Sequence, residues 1–86
     1  MTRTANEWRA FWRERGEREL AALLEATWPP ARDGDATRIA TLLGSRAPNG
    51  AVAAELGRMR AERDDAPDRG EDEAAAAAIA TWFARA

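Results

Sequence analysis

The chain has 86 residues, a net charge of −2, and neither cysteine nor histidine. A chain of this length is predicted to form one helical domain, 1–86, that buries only about 60 to 65% of the surface its unfolded form exposes. Because disulfides, thiol nucleophiles, imidazole bases and the usual zinc ligands are all missing, only carboxylate chemistry remains open to it.

The first predicted element is a long helix. Thr4 and Glu7 have the Thr-x-x-Glu spacing of a capping box, in which both side chains satisfy backbone N–H groups at a helix N-terminus. Apolar residues follow at helical spacing in two groups, whose centres lie roughly 120° apart at about 100° per residue. The first group is Trp8, Phe11 and Trp12, and the second is Leu20, Leu23, Leu24, Thr27 and Trp28.

Gly16 lies between the two apolar groups. Glycine costs about 1 kcal/mol relative to alanine in a helix interior, so either the helix bends there or two helices meet. We favour one long helix, with Gly16 as the position of any kink. Pro29 and Pro30 end this helix, because proline cannot donate a backbone N–H and disfavours helical geometry in the residue before it.

Two shorter helices are predicted next. Asp35 suits the N-cap of a helix from Ala36 to about Arg46. Asn49 suits the cap of a third helix, whose apolar stripe ends at Met59. Their predicted inner faces hold Ile39, Leu42 and Leu43 in the second helix, and Val52, Leu56 and Met59 in the third.

A last helix follows the charged loop. Glu71, Asp72 and Glu73 place negative charge on its first turn, which suits the helix dipole. Its predicted buried stripe is Ala75, Ala76, Ile79, Trp82, Phe83 and Ala86. No stretch alternates β-branched and polar residues as a strand would. The sequence therefore predicts a small all-α domain of four helices, in which Trp28, Leu56 and Trp82 share one core.

The acidic region, defined as residues 62–73, holds seven acidic residues and two arginines, a net charge of −5. A divalent cation could bridge it weakly, but its carboxylates lack apolar neighbours that would desolvate them, so we predict a solvated helix entrance without a metal, cofactor or catalytic role. The carboxylates predicted to be solvated are those of Asp64, Asp65, Asp68, Asp72 and Glu73. Asp33 and Asp35 match two ligands of a calcium-binding loop, but Arg38 and Gly44 stand where that loop requires Gly and Glu.

The chain carries strings that point to a known family. They are Trp28-Pro29-Pro30 at the end of the first helix, the second-helix residues Ile39, Leu42 and Leu43, and Met59-Arg60-Ala61-Glu62 near the end of the third. With these strings, the stretch from Leu20 to Phe83 resembles the domain of unknown function 1871 family, small helical bacterial proteins. The resemblance implies a four-helix fold and, because that family has no assigned activity, nothing about chemistry.

Charge and hydropathy limit the partners. A nucleic-acid-binding protein needs a basic face, which a net charge of −2 does not favour. No apolar run reaches the length of a signal peptide or of a membrane span, so we expect a soluble cytoplasmic protein. All 13 basic residues are arginine, beside abundant alanine, which is typical of GC-rich bacterial genomes.

We therefore predict a protein-interaction module whose partner is another protein or a second copy of the chain, with no small-molecule substrate. The predicted interface residues are Trp8, Phe11, Trp12, Asp64, Asp65 and Asp68. Aromatic residues dominate both cores and interface hot spots, and we expect Trp8 and Phe11 to contact a second chain while Trp12 packs within its own. The alternative is an immunity protein or antitoxin that neutralises a basic toxin domain through the acidic region.

Overall fold

The computed structural model describes residues 4–85 and consists, over that range, of four helices and no strand. Helix α1 covers residues 5–27, and the others are α2 (Asp35–Gly44), α3 (Asn49–Glu62) and α4 (Arg69–Arg85). The predicted all-α fold with a long first helix is confirmed. Ala86, which was predicted to end the buried stripe of α4, lies outside the described residues.

Helix α1 begins and ends at the predicted residues. The Thr4 hydroxyl accepts a hydrogen bond from the backbone N–H of Glu7 at 3.2 Å and donates one to its Oε1 at 3.2 Å. At the other end, the Trp28 N–H donates to the Leu24 carbonyl at 2.7 Å, and Trp28 has an extended backbone with φ −136°. Pro29 then follows a residue that already has the extended geometry proline favours before it.

The middle of α1 is a π-helical turn. The helix consists of Ala5–Phe11, the π turn Trp12–Gly16 and Glu17–Thr27. A π turn holds about one residue more than an α turn, so it rotates everything after it by about 100°. This rotation nearly cancels the roughly 120° offset between the two apolar groups of the sequence. Trp12 accordingly packs against the same core as Leu20.

Gly16 ends the π turn and is buried beneath two aromatic rings. A Cβ atom at this position would lie 2.6 Å from Cε1 of Phe11 and 2.7 Å from Cε3 of Trp12. Real Cβ atoms do not approach a neighbouring carbon so closely. Glycine is therefore required at this position by packing rather than by backbone conformation.

We expect Gly16→Ala to lower the free energy of unfolding by about 1 to 3 kcal/mol, because the added methyl group forces the rings apart. In an exposed helix interior the same substitution would raise stability by about 1 kcal/mol. Gly50→Ala is the control, since a Cβ there meets nothing within 4 Å. Urea midpoints of the two variants and the parent protein test this, and a stabilised Gly16→Ala would contradict the packing described here.

The core lies between the second half of α1 and the other three helices. Trp28 is its largest fully buried side chain, with 0% exposure. The fully buried residues around it are Leu20, Leu24, Ile39, Leu56, Met59, Ile79 and Val52. The predicted inner faces of α2 and α3 are thus confirmed, with Leu43 buried and Leu42 half-buried. Trp82 is also half-buried and packs against this core from the outside.

Two predicted caps are wrong. Asp35 is the first residue of α2 rather than its cap, a position that Gly34 takes with φ 91°. Asn49 likewise is the first residue of α3, and its cap is Pro48 without a side-chain hydrogen bond. Helix α2 also ends at Gly44, earlier than the predicted end at Arg46.

Candidate protein-interaction site

The aromatic residues of α1 meet those of α4. We define the aromatic cluster as Trp8, Phe11, Trp12, Trp82 and Phe83. The ring centroids of Trp8 and Phe83 are 5.0 Å apart, those of Phe11 and Trp12 are 5.5 Å apart, and those of Trp12 and Trp82 are 5.9 Å apart. Aromatic pairs at such distances each contribute about 0.5 to 1.5 kcal/mol beyond the area they bury.

Burial within the aromatic cluster changes the predicted interface. Phe11 is only 5% exposed, and its ring contacts Trp8, Trp12 and Trp82 of its own chain. The expectation that Phe11 faces a second chain therefore does not agree with this arrangement. Trp8 and Trp12 are half-buried and keep part of their surface. Trp12 packs within its own chain, as predicted.

A buried carboxylate joins three parts of the chain. Asp72 is 5% exposed, and its Oδ1 accepts hydrogen bonds from Nε1 of Trp28 at 2.8 Å and from Nε of Arg60 at 2.7 Å. Arg60 is itself 6% exposed and also donates to Glu71. Burial lowers the pKa of Arg60, but these hydrogen bonds outweigh burial and raise it. The prediction that Asp72 is solvated is wrong, because its partners come from distant parts of the sequence.

A second buried carboxylate holds the loop after α1. Asp35 is 2% exposed and pairs with Arg63, which also donates to the Pro30 carbonyl oxygen at 3.0 Å. The guanidinium carbons of Arg60 and Arg63 lie 5.2 and 5.7 Å from the ring centroid of Trp28. Both buried carboxylates thus position arginines against the central tryptophan, and the side chains of Asp35 and Asp72 serve the fold.

Arg38 links α2 to α3 at the surface. Its guanidinium donates to Glu55 at 2.9 Å and to Glu62 at 2.7 Å, and Arg58 also donates to Glu55. Burial raises the pKa of Glu55, but the hydrogen bonds from Arg38 and Arg58 outweigh burial and hold it below its ordinary 4.5. The hydrogen bond from Arg38 holds the pKa of Glu62 below 4.5 as well.

We expect this network to make stability fall in acid. A carboxylate whose pKa is lower in the folded state stabilises the fold fully above its unfolded pKa and loses that contribution as the pH falls through its folded pKa. The urea concentration at the unfolding midpoint should therefore fall once the pH is lowered below about 4.5. Arg38→Met should make this fall smaller. The exposed Arg85→Met is the control. Equal acid sensitivity of Arg38→Met and the parent protein would contradict this role.

Most of the acidic region is neutralised within the chain. Four of its acidic residues form ion pairs with arginines: Glu62, Glu71, Asp72 and Glu73. Asp68 caps α4 by accepting a hydrogen bond from the Glu71 N–H at 3.0 Å. Asp64 is exposed and Asp65 half-buried, and neither carboxylate is hydrogen-bonded to a described residue. The charge that this region offers a partner is therefore concentrated at Asp64, Asp65 and Asp68.

Two of these three acids line a groove between α3 and α4. The groove has a volume of about 670 Å³, and six of its fourteen lining residues are small: Gly50, Ala53, Ala54, Gly57, Ala61 and Ala76. The charged residues that also line it are Asp65, Asp68, Asp72, Glu73, Arg60 and Arg69, of which Arg60 pairs with Asp72 and Arg69 with Glu73. Asp64 precedes Asp65 in the chain and does not line the groove. We call this feature the α3–α4 groove. Asp65 and Asp68 follow the C-terminal end of α3, whereas Gly50 lies at its N-terminal end, and the 14 residues of α3 span about 21 Å at 1.5 Å per residue.

A second groove of about 630 Å³ runs beside the π turn of α1. Its charged lining consists of Arg13, Arg15, Arg18, Arg32, Glu14, Glu17, Glu25 and Asp33. The two signs of charge are equally represented, so this groove does not favour a partner of either charge. The α3–α4 groove, which pairs an apolar lining with one sign of unpaired charge, is the better candidate.

Comparison with known proteins identifies no relative of this chain. No known family, curated protein or solved structure matches the chain. The resemblance to the domain of unknown function 1871 family therefore stays a prediction. Within residues 4–85, no cluster of acidic side chains is arranged to hold a metal ion, and no helix has the length and hydropathy to span a bilayer.

The residues predicted as one interface occupy two places. Asp65 and Asp68 lie at the N-terminal end of α4, whereas the aromatic cluster lies near its C-terminal end. Asp72 and Trp82 are ten residues apart in α4, which is about 15 Å along the helix axis. The sequence prediction missed the small residues of the groove, although Gly50 and Ala54, and Gly57 and Ala61, are each spaced as neighbours on one helix face.

Proposed function

We propose that this chain is a small helical protein-interaction module without catalytic activity, which binds a segment of a partner protein in the α3–α4 groove. The observation that carries the proposal is an open groove of about 670 Å³ that has an apolar lining and unpaired carboxylates at one end. Contiguous apolar concavities on a small domain usually mark binding sites.

The distribution of charge favours a short partner segment over a broad basic surface. An immunity protein or antitoxin would present the whole acidic region to a basic toxin domain. Four of the seven acids in that region already pair with arginines of the same chain. The remaining carboxylates form a patch that matches one or two cations of a partner rather than an extended basic face.

A displayed library of random 20-residue peptides, selected on the purified protein, tests the proposal. Gly50→Leu adds a large side chain to the groove lining, and its Cβ can be built without a clash, since a Cβ at Gly50 has nothing within 4 Å. Gly44→Leu is the matched control, because Gly44 is equally open and does not line the groove. We expect selected peptides to lose about tenfold or more in affinity on Gly50→Leu, which corresponds to about 1.4 kcal/mol, and to keep their affinity on Gly44→Leu.

Peptides that bind Gly50→Leu as well as the parent protein would place binding elsewhere and overturn the proposal. The thermal transition of each variant shows that it is folded before binding is measured.

A further inference from the structure

We infer that the partner segment of the α3–α4 groove is an amphipathic helix with large apolar side chains on one face and Lys or Arg near one end. The inference rests on the proposed function and names the chemistry of its partner. It follows from the backbone, the shape and the charge of the groove.

The backbone of the groove favours a helix over an extended peptide. Both walls are helices, whose interior N–H and C=O groups are hydrogen-bonded within the helix, and no strand edge exists among residues 4–85. An extended peptide gains its affinity by pairing with a strand edge, and a polyproline segment docks between aromatic side chains. The lining of this groove includes no aromatic residue. A helix is the segment that satisfies its own backbone before it binds.

The shape of the groove sets the size of the side chains that fill it. Gly50, Ala54, Gly57 and Ala61 recur at three- and four-residue spacing along α3. A helix face of such small residues lacks protruding ridges, so a partner helix can approach it closely and fill it with its own ridge. Leu, Ile, Met or Phe at positions i, i+3 or i+4, and i+7 of the partner provide such a ridge.

The charge of the groove sets the polarity of the partner. Asp65 and Asp68 line one end, and Gly50 and Asn49 line the other. Neither Asp65 nor Asp68 forms an ion pair with a described arginine, whereas the two arginines that line the groove, Arg60 and Arg69, are paired with Asp72 and Glu73. A cation that reaches these carboxylates from the partner is therefore confined to one end of the segment, while its remaining length meets the apolar lining.

The peptide selection provides the test when it is extended by Asp65→Asn combined with Asp68→Asn. Asparagine keeps the size of both side chains and preserves the cap that Asp68 gives to α4. We expect groove-dependent peptides to share apolar residues at helical spacing and a basic end. We expect them to lose roughly tenfold in affinity on the double substitution, and to gain helical circular dichroism on binding. Proline in the middle of such a peptide should abolish binding.

The outcomes separate this inference from the proposed function. Groove-dependent peptides that are not basic, that keep their affinity on the double substitution, or that tolerate the central proline overturn the inference and leave the proposed function standing. If the protein associates with itself and Gly50→Leu abolishes that association, the occupant is a second copy and the inference is wrong. If no selected peptide loses affinity on Gly50→Leu, both the inference and the proposed function are wrong.

Discussion

Asp72→Ala is expected to lower the free energy of unfolding by about 3 to 5 kcal/mol. The substitution removes the carboxylate oxygen that accepts hydrogen bonds from Trp28 at 2.8 Å and from Arg60 at 2.7 Å. The Arg60 side chain is only 7% exposed, so its charge stays in the interior with Glu71 as its one remaining ion-pair partner among the described residues. Removing one partner of a buried charge costs far more than the ion pair itself contributes, because the charge stays buried with less compensation.

Urea denaturation, followed by the fluorescence of the tryptophans, measures this loss. Glu73→Ala is the control in the same helical turn, because its ion pair with Arg69 is exposed and is worth at most about 1 kcal/mol. Asp72→Ala combined with Arg60→Met should recover much of the stability, since it removes both charges. A loss below about 1 kcal/mol for Asp72→Ala alone would contradict the central role of this carboxylate.

Phe11→Ala is expected to lower the free energy of unfolding by a similar amount, about 3 to 5 kcal/mol. Phe11 is 5% exposed, and its ring centroid lies 5.7 Å from that of Trp8, 5.5 Å from that of Trp12 and 6.2 Å from that of Trp82. Its removal leaves a cavity at the point where α1 meets the end of α4. The total stability of a domain of this size is about 4 to 13 kcal/mol, so the variant should be largely unfolded at moderate urea concentration.

The same variant distinguishes the core and interface interpretations of the aromatic residues. Phe11→Leu is the control and should lose about 1.5 kcal/mol or less, because it retains most of the buried volume. Sedimentation of the parent protein at micromolar concentration measures the predicted homodimer, with Trp8→Ala as the comparison. If Phe11→Ala keeps its stability but changes the sedimentation, then the ring belongs to an interface between chains and the packing described here is wrong.

The sequence alone was sufficient to predict the helices. Local signals begin and end α1, since the hydroxyl of Thr4 and the ring of Pro29 act on backbone groups within a few residues. The spacing of apolar residues was sufficient to predict the inner faces of α2 and α3, including Ile39 and Leu56, which are both 0% exposed. Such patterns can be read without the fold because each element must turn its apolar side to the same core.

The tertiary structure decided what the local patterns left open. The roughly 120° angle between the two apolar groups of α1 is compatible with a kink, with two helices or with a change of helical pitch. In the structure, Phe11 and Trp12 pack over Gly16 and the helix contains a π turn. Asp72 could not be recognised as buried because its partners Trp28 and Arg60 are 44 and 12 residues away in the sequence. Neither contact leaves a signal in the residues next to Asp72.

The candidate site, too, could be predicted from the sequence only in part. Composition was sufficient to predict that the acidic region is unusual, because its net charge of −5 stands against a chain total of −2. Which of its carboxylates remain for a partner was decided by ion pairs that only the fold forms, such as Arg38 with Glu62. The α3–α4 groove could be found only from the tertiary structure. It forms because the two helices pack together and the side chains between them are too small to fill the space.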